Sequence, residues 1–314
     1  MPSADNSDRL AELIDELAQL TTEATRDCLD LDTLDTVELV RLMNEGDRGV
    51  PAAVGDRAAE IARAVDVIVD RFRRGGRLIY LGAGTAGRIG ILDASECPPT
   101  FGTDPEMVQG LIAGGPTAVM TAVENSEDDD EAAAIELAAL GITSDDTVVG
   151  ISASGRTPYV VGGLSYARTV GAMTIAVAQN RDSAIGRISN IPIEVVVGPE
   201  FVAGSTRLKS GTAQKLIVNM LSTLAMVRLG KTYRGVMVDL VATNEKLRAR
   251  SVRTVMNVTG ASAEEAEAAL DAASGRVKEA LLSLLTGLSP ADAIRALDDA
   301  DGLLRIAVER SATR

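Results

Sequence analysis

The residues of this chain that could do chemistry are carboxylates and hydroxyls set beside glycine-rich turns, because none of its 314 residues is a histidine. Ser-His-Asp and Cys-His arrangements and histidine-ligated zinc are thereby excluded. Proton transfer falls to carboxylates, lysine or tyrosine. Two cysteines, Cys28 and Cys97, make neither a disulfide framework nor a soft metal site, so no metal and no cofactor is expected. The first candidate acid or base is Glu96, twelve residues after the middle glycine of Gly82-x-Gly84-x-x-Gly87. It directly precedes Cys97-Pro98-Pro99, whose prolines are expected to stop the helix. The second lies in Val123-Glu124-Asn125-Ser126-Glu127, where residue types alone do not separate Glu124 from Glu127. The ordinary reading of that run is an exposed acidic helix start.

The groups that would hold a substrate sit in three polar loops. The turn from Gly82 to Gly87 lets backbone approach a ligand and opens a helix whose free N–H groups face it, an anion cradle. As a dinucleotide fingerprint the same pattern needs an acid after the next strand, yet the run Val108 to Ala113 ends in Gly114-Gly115. The second loop, Ser152-Ala153-Ser154-Gly155-Arg156-Thr157-Pro158, concentrates phosphate-binding hydroxyls before a helix, and Arg156 could add charge. Its plainer alternative is a Ser/Gly turn with Thr157 as helix N-cap. The third, from Gly204 to Thr212, introduces another helix.

These loops require a scaffold that gathers strand ends. Short apolar runs near 78–81, 108–112, 147–151, 173–178 and 193–197 alternate with helical patterns, which predicts a doubly wound, mostly parallel five-stranded α/β sheet. Loops at one edge of such a sheet suit a sugar phosphate at a topological switch point. Residues 1–22 read as an amphipathic, loosely attached extension. Asp35 and Glu38 form a capping-box pattern, and Pro51 opens a helix whose Ile61, Val65, Ile68 and Phe72 make an apolar stripe. The sheet domain is drawn at 23–232 with these leading helices, and a small helical region at 233–314. In that region Ser262 to Glu265 is a cap and two or three short helices end near Val308. Asn244-Glu245-Lys246 is the charged group to watch there, although such a trio is usually a solvated face.

Composition narrows the partners. With 46% hydrophobic but only 2% aromatic residues, the interior is one of aliphatic helices on a sheet. A net charge of -14 disfavours nucleic acid and anionic membranes. The acidic N-terminus lacks the pattern of a signal peptide, and the longest apolar stretch, Leu216 to Val227, is interrupted by Asn219, Ser222 and Thr223, so a buried helix in a cytoplasmic protein is expected.

The order LGAGTAGRIGILDASECPPTFG, GLIAGG, AVENSEDD, VVGISASGRTPYV, GSTRLKSGTAQKLIVNMLST and MVDLVATNEKL resembles the N-acetylmuramic acid 6-phosphate etherases, a family built on the sugar isomerase (SIS) fold, over about residues 20–310. Thr85-Ala86 stands where Thr-Ser is commoner. The resemblance implies a lyase that removes D-lactate from N-acetylmuramic acid 6-phosphate during cell-wall recycling. It assigns Glu96 as proton donor and Glu127 as the other catalytic acid. Ser152, Ser154 and Thr157 would then hold the phosphate, with Gly84 and Thr85 nearby and Arg156 adding charge. The apolar stripes ahead of residue 75 and the helical tail exceed what one five-stranded sheet needs to cover, and related SIS proteins commonly pair, so a homodimer is expected. Two other readings share the loops: a sugar-phosphate isomerase, which needs no acid at C3, and a non-catalytic sugar-phosphate sensor, which could lose either glutamate.

Overall fold

Leu78-Ile79-Tyr80-Leu81-Gly82 is buried at every position and forms β1 (Leu78–Gly82), a central strand of a parallel sheet. The computed structural model describes residues 14, 15, 17–25, 30–239 and 245–312. It divides into two units, Met1–Ala94 with Glu106–Leu221, and Ser95–Pro105 with Ser222–Arg314. Ahead of β1 stand α1 (Thr36–Asp47), α2 (Val50–Gly55) and α3 (Ala58–Arg73); after it come α4 (Gly84–Phe101), β2 (Val108–Ile112), α5 (Thr117–Met120), α6 (Ala132–Ala139) and β3 (Thr147–Ser152). The chain continues through α7 (Pro158–Val170), β4 (Met173–Ala178), α8 (Ala184–Ile188), β5 (Ile191–Glu194) and α9 (Lys209–Arg228).

The strand order is β2-β1-β3-β4-β5, all parallel, as the alternation of apolar runs and helices predicts. The chain moves outward from β1 to β2, then returns to the other side of β1 as β3. The switch point therefore lies between β1 and β3, where Gly82 faces Ile151 in register. One face of the sheet is filled by Leu81, Leu137, Tyr159 and Leu164, among other wholly buried side chains. Burial and the Glu136 carboxylate that accepts its hydrogen bond both push the Tyr159 phenol far above its ordinary pKa. Elsewhere Tyr80, also fully buried, donates to Asp93 (2.8 Å), which accepts a second bond from Asn219 (2.6 Å). The polar residue that interrupts the apolar run of α9 thus satisfies a buried carboxylate. Ile217, Val218 and Leu221 around it are wholly buried, and no single helix among the described residues is long and apolar enough to cross a membrane.

Several boundaries differ from the sequence reading. Pro98 and Pro99 do not stop α4, which runs on to Phe101 and ends at Gly102, a left-handed residue with φ 62°. Proline keeps a helical φ; what it removes are the bonds its nitrogen would make to the carbonyls of Ala94 and Ser95, and the two units part between those two residues. The helix opened near Pro51 is two helices, broken at Asp56-Arg57. The last strand is Ile191–Glu194 rather than 193–197, an edge strand in which the missing N–H of Pro192 is tolerated. Thr22 of the supposedly loose extension is wholly buried, and Asn180 donates to its hydroxyl at 3.2 Å. Residues 1–13 lie outside the described residues, as do Cys28 and Asn244. The Asp35–Glu38 capping box is present as read.

The second unit holds the hairpin β6 (Thr232–Tyr233) and β7 (Val236–Met237) and helices α10 (Glu245–Thr259), α11 (Ala263–Ala272), α12 (Val277–Thr286), α13 (Pro290–Asp298) and α14 (Leu304–Ala312). They pack around Val255, Ala266, Leu281, Leu282 and Ala293. Four short helices follow α10, and the last ends beyond Val308. The Ser262–Glu265 capping box forms as expected.

At the end of the sheet away from the loops, Asp146 ties β1 to β3. Its carboxylate accepts from the backbone N–H of Arg77 (2.7 Å) and of Thr143 (2.7 Å) and from the Arg77 guanidinium (3.0 Å). Desolvation alone would raise its pKa, but the Arg77 guanidinium and the two backbone donors outweigh it and hold the carboxyl below the ordinary value. Such a group stabilises the fold above the ordinary carboxylate pKa, and its contribution is lost as pH falls through the lowered value. Asp146→Asn should therefore cost about 3 kcal/mol at neutral pH, at the low end for a buried pair because Arg77 is 22% exposed. Its stability should also fall less steeply below about pH 4 than that of the wild type. Urea unfolding at a series of pH values checks both; parallel curves would show that this carboxylate carries none of the acid sensitivity.

Candidate functional site

The hydroxyl loop is built around Ser152, the last residue of β3. Its Oγ accepts the backbone N–H of Gly155 (3.0 Å) and lies 2.8 Å from the Thr157 hydroxyl and 3.3 Å from that of Ser154. The turn needs Gly155, whose φ is 73° and whose Cβ, if it had one, would come within 2.3 Å of the Ser183 Cβ. Thr157 occupies the N-cap position of α7, yet its side chain makes no cap bond and turns to Ser152 instead. The plain reading of Thr157 as a capping residue therefore fails. Three hydroxyls converge at one strand end.

They line a cavity of 180 Å³ with Thr85 and Ala86 from the start of α4, with Gln214 from α9, and with Glu127. The glycine turn makes room on that side: a Cβ on Gly82 would meet the Gly87 nitrogen at 2.5 Å, and one on Gly87 would meet Ile112 at 2.6 Å. Gly84, with φ 52°, lines an adjoining cavity of 210 Å³ together with Arg88, Glu124 and Glu127. The two glutamates that residue types could not separate are thus distinguished by place, since Glu127 faces both cavities and Glu124 only the second of them. The cause is local backbone: Asn125 adopts the left-handed conformation (φ 58°) and residues Ser126–Asp128 make a single 3-10 turn, so no regular helix face relates Glu124 to Glu127.

Two carboxylate findings were not foreseen. Glu23, the first residue of the sheet domain as drawn and directly after the supposed extension, lines the same 180 Å³ cavity as Glu127. Its only sequence signal is that it follows Thr21-Thr22; what holds it there is a contact with Asn180, 158 residues away from Thr22. Glu96 lies twelve residues beyond Gly84 on α4, in the second unit, and lines none of the cavities described. It is exposed, and shares a helix face with Leu92, which is 56% exposed. Arg156 lines a separate, larger cavity of 740 Å³ that it shares with Ser154, Arg181 and Arg187. The Gln214 Oε1 atom is buried without a hydrogen-bond partner among the described residues.

Hydroxyls and helix N-termini grouped at a switch point can take a phosphate, and a carboxylate in the same cavity can take or give a proton nearby. Residues 60–168 match the glucokinase regulatory protein N-terminal SIS domain, and residues 124–224 match the SIS domain. A phosphoheptose isomerase structure from Francisella tularensis superposes at TM-score 0.49 and 20% identity, covering 62% of this chain and all of that one. Among curated proteins, N-acetylmuramic acid 6-phosphate etherases are similar along nearly their whole length. That of Streptomyces avermitilis is 58% identical over 93% of this chain and 94% of its own. That of Mycolicibacterium smegmatis is 54% identical over 93% of this chain and 99% of its own. Identity at that level along the whole of both chains places this chain in the N-acetylmuramic acid 6-phosphate etherase family.

Proposed function

We infer that this protein cleaves the D-lactyl ether of N-acetylmuramic acid 6-phosphate, giving N-acetylglucosamine 6-phosphate and D-lactate. The observation that carries the reading is one cavity holding the Glu127 carboxylate, the Ser152, Ser154 and Thr157 hydroxyls and Thr85. Hydroxyls at one end hold the phosphate, and the carboxylate meets the sugar carbons. In the open-chain sugar the C1 aldehyde acidifies the C2 proton. A base removes it, an acid protonates the ether oxygen, lactate leaves from C3, and water adds to the unsaturated product. Each proton transfer is worth about 100-fold to 10,000-fold in rate. An isomerase would need only the base at C2. Incubation with N-acetylmuramic acid 6-phosphate should release D-lactate in proportion to enzyme; a sugar isomer without lactate would turn the reading to the isomerase, and binding without turnover to the sensor.

Glu127 is the base at C2 and Glu96 the acid at the ether oxygen. The assignment of Glu127 is supported by its place in the hydroxyl cavity, that of Glu96 by the family resemblance. Glu96→Gln should then lose lactate release yet still exchange the C2 hydrogen of N-acetylglucosamine 6-phosphate with deuterated water, whereas Glu127→Gln should lose both. Exchange that survives in Glu127→Gln and vanishes in Glu96→Gln would reverse the roles.

The protein is a homodimer in this reading, and Glu96 of one copy serves the Glu127 cavity of the other. The exposed face of α4 that carries Leu92 and Glu96 supports this, as an apolar residue one turn from the acid would be covered by the second copy. Coexpressed in equal amounts, Glu96→Gln and Glu127→Gln chains should recover about a quarter of wild-type activity, because half the dimers are mixed and each mixed dimer keeps one intact pair. No recovery would confine both carboxylates to a single chain.

A further inference from the structure

The cleavage described above requires an aldehyde, but a hexosamine 6-phosphate in water is mostly a closed ring, so something must open it. We propose that Glu23 is a third carboxylate of the site and the group that opens the sugar ring. The proposal rests on the etherase reading for its substrate. Its physical basis is that Glu23 lines the same 180 Å³ cavity as Glu127 and the phosphate-binding hydroxyls.

Glu23 is held there by a strap and not by chance exposure. The Thr21 N–H and hydroxyl donate to the Asn180 Oδ1 atom (2.8 and 2.9 Å), and Asn180 Nδ2 donates to the Thr22 hydroxyl (3.2 Å). Asn180 also donates to the carbonyl of Ala153, inside the hydroxyl loop (3.0 Å). On the other side the Gly204 N–H donates to the Thr22 carbonyl (3.1 Å). Gly204 has φ 74°, and a Cβ there would lie 2.9 Å from the Glu23 Oε2 atom. The third polar loop is therefore bare at the point where it passes the carboxylate.

The chemistry matches the group. Ring opening removes the proton from O1, forms the C1–O1 double bond, breaks C1–O5 and leaves the bonding pair on O5, which must be protonated. O1 and O5 are both borne by C1, as the two carboxylate oxygens are borne by one carbon. One oxygen of Glu23 takes the O1 proton and the resulting carboxyl returns a proton to O5, so the residue ends in the state in which it began. Glu127, facing C2, is then left free for the step that follows.

The test is anomer exchange. The wild-type protein should accelerate interconversion of the α and β anomers of N-acetylglucosamine 6-phosphate, read by magnetisation transfer in NMR. Glu23→Gln should bind that sugar phosphate with nearly unchanged affinity and lose the acceleration by about 100-fold or more. Its lactate release should rise with enzyme concentration only to a ceiling set by spontaneous ring opening, and added imidazole, a general catalyst of opening, should lift that ceiling. A wild-type enzyme that releases lactate without accelerating anomer exchange overturns the proposal while leaving the etherase reading intact, and does so whether or not the variant folds. So does a folded Glu23→Gln that keeps the exchange, or one whose lactate release stays proportional to enzyme throughout. Absence of lactate release from the wild type would instead overturn the etherase reading.

Discussion

The site depends on one pairing, that of β1 with β3 in register from Leu78 opposite Thr147 to Gly82 opposite Ile151. Because both strands run the same way, their two following loops leave the sheet side by side, which brings the Gly82–Gly87 turn against the Ser152–Pro158 loop without any contact between the loops being needed to set it. A slip of two residues would keep the buried faces but separate Gly82 from the serines by more than 6 Å. Asp146 stands against that slip. It binds the backbone N–H of Arg77 just before β1 and the Arg77 side chain, from the position just before β3, so the register is fixed at the end opposite the site.

How legible each part was in the sequence follows from how local its cause is. The strands were legible because β1, β3 and most of β4 are buried on both faces and so read as unbroken apolar runs. The hydroxyl loop was legible because its hydrogen bonds join residues two to five apart. Glu127 could not be told from Glu124 because the choice is made by a left-handed Asn125. Glu23 was missed altogether: the bonds that seat its strap reach from Thr21 and Thr22 to Asn180, and nothing in the local pattern announces them. The prolines of α4 misled for the opposite reason, since a local rule against helix interiors gave way to a longer helix on which Glu96 is exposed.

In the proposed function the phosphate is held by hydroxyls, and that choice would let a chain of net charge -14 hold an anion and still do base chemistry. Among the described residues no lysine or arginine lines the cavity of Glu23 and Glu127; its polar lining is hydroxyls, one amide and the two carboxylates. A guanidinium there would bind phosphate more strongly, but it would also sit within a few ångströms of both glutamates and favour their charged forms, weakening them as bases and withholding the proton that an acid must give. Hydroxyls and backbone N–H groups hold phosphate by dipoles that fall away more steeply with distance. Arg156, Arg181 and Arg187 line the neighbouring 740 Å³ cavity instead, with Ser154 common to both, and Arg88, in the 210 Å³ cavity that Glu127 also faces, donates to the carbonyls of Ala118 and Val119. In that reading positive charge stands near enough to draw an anionic sugar toward the strand ends and stays out of the lining of the 180 Å³ cavity.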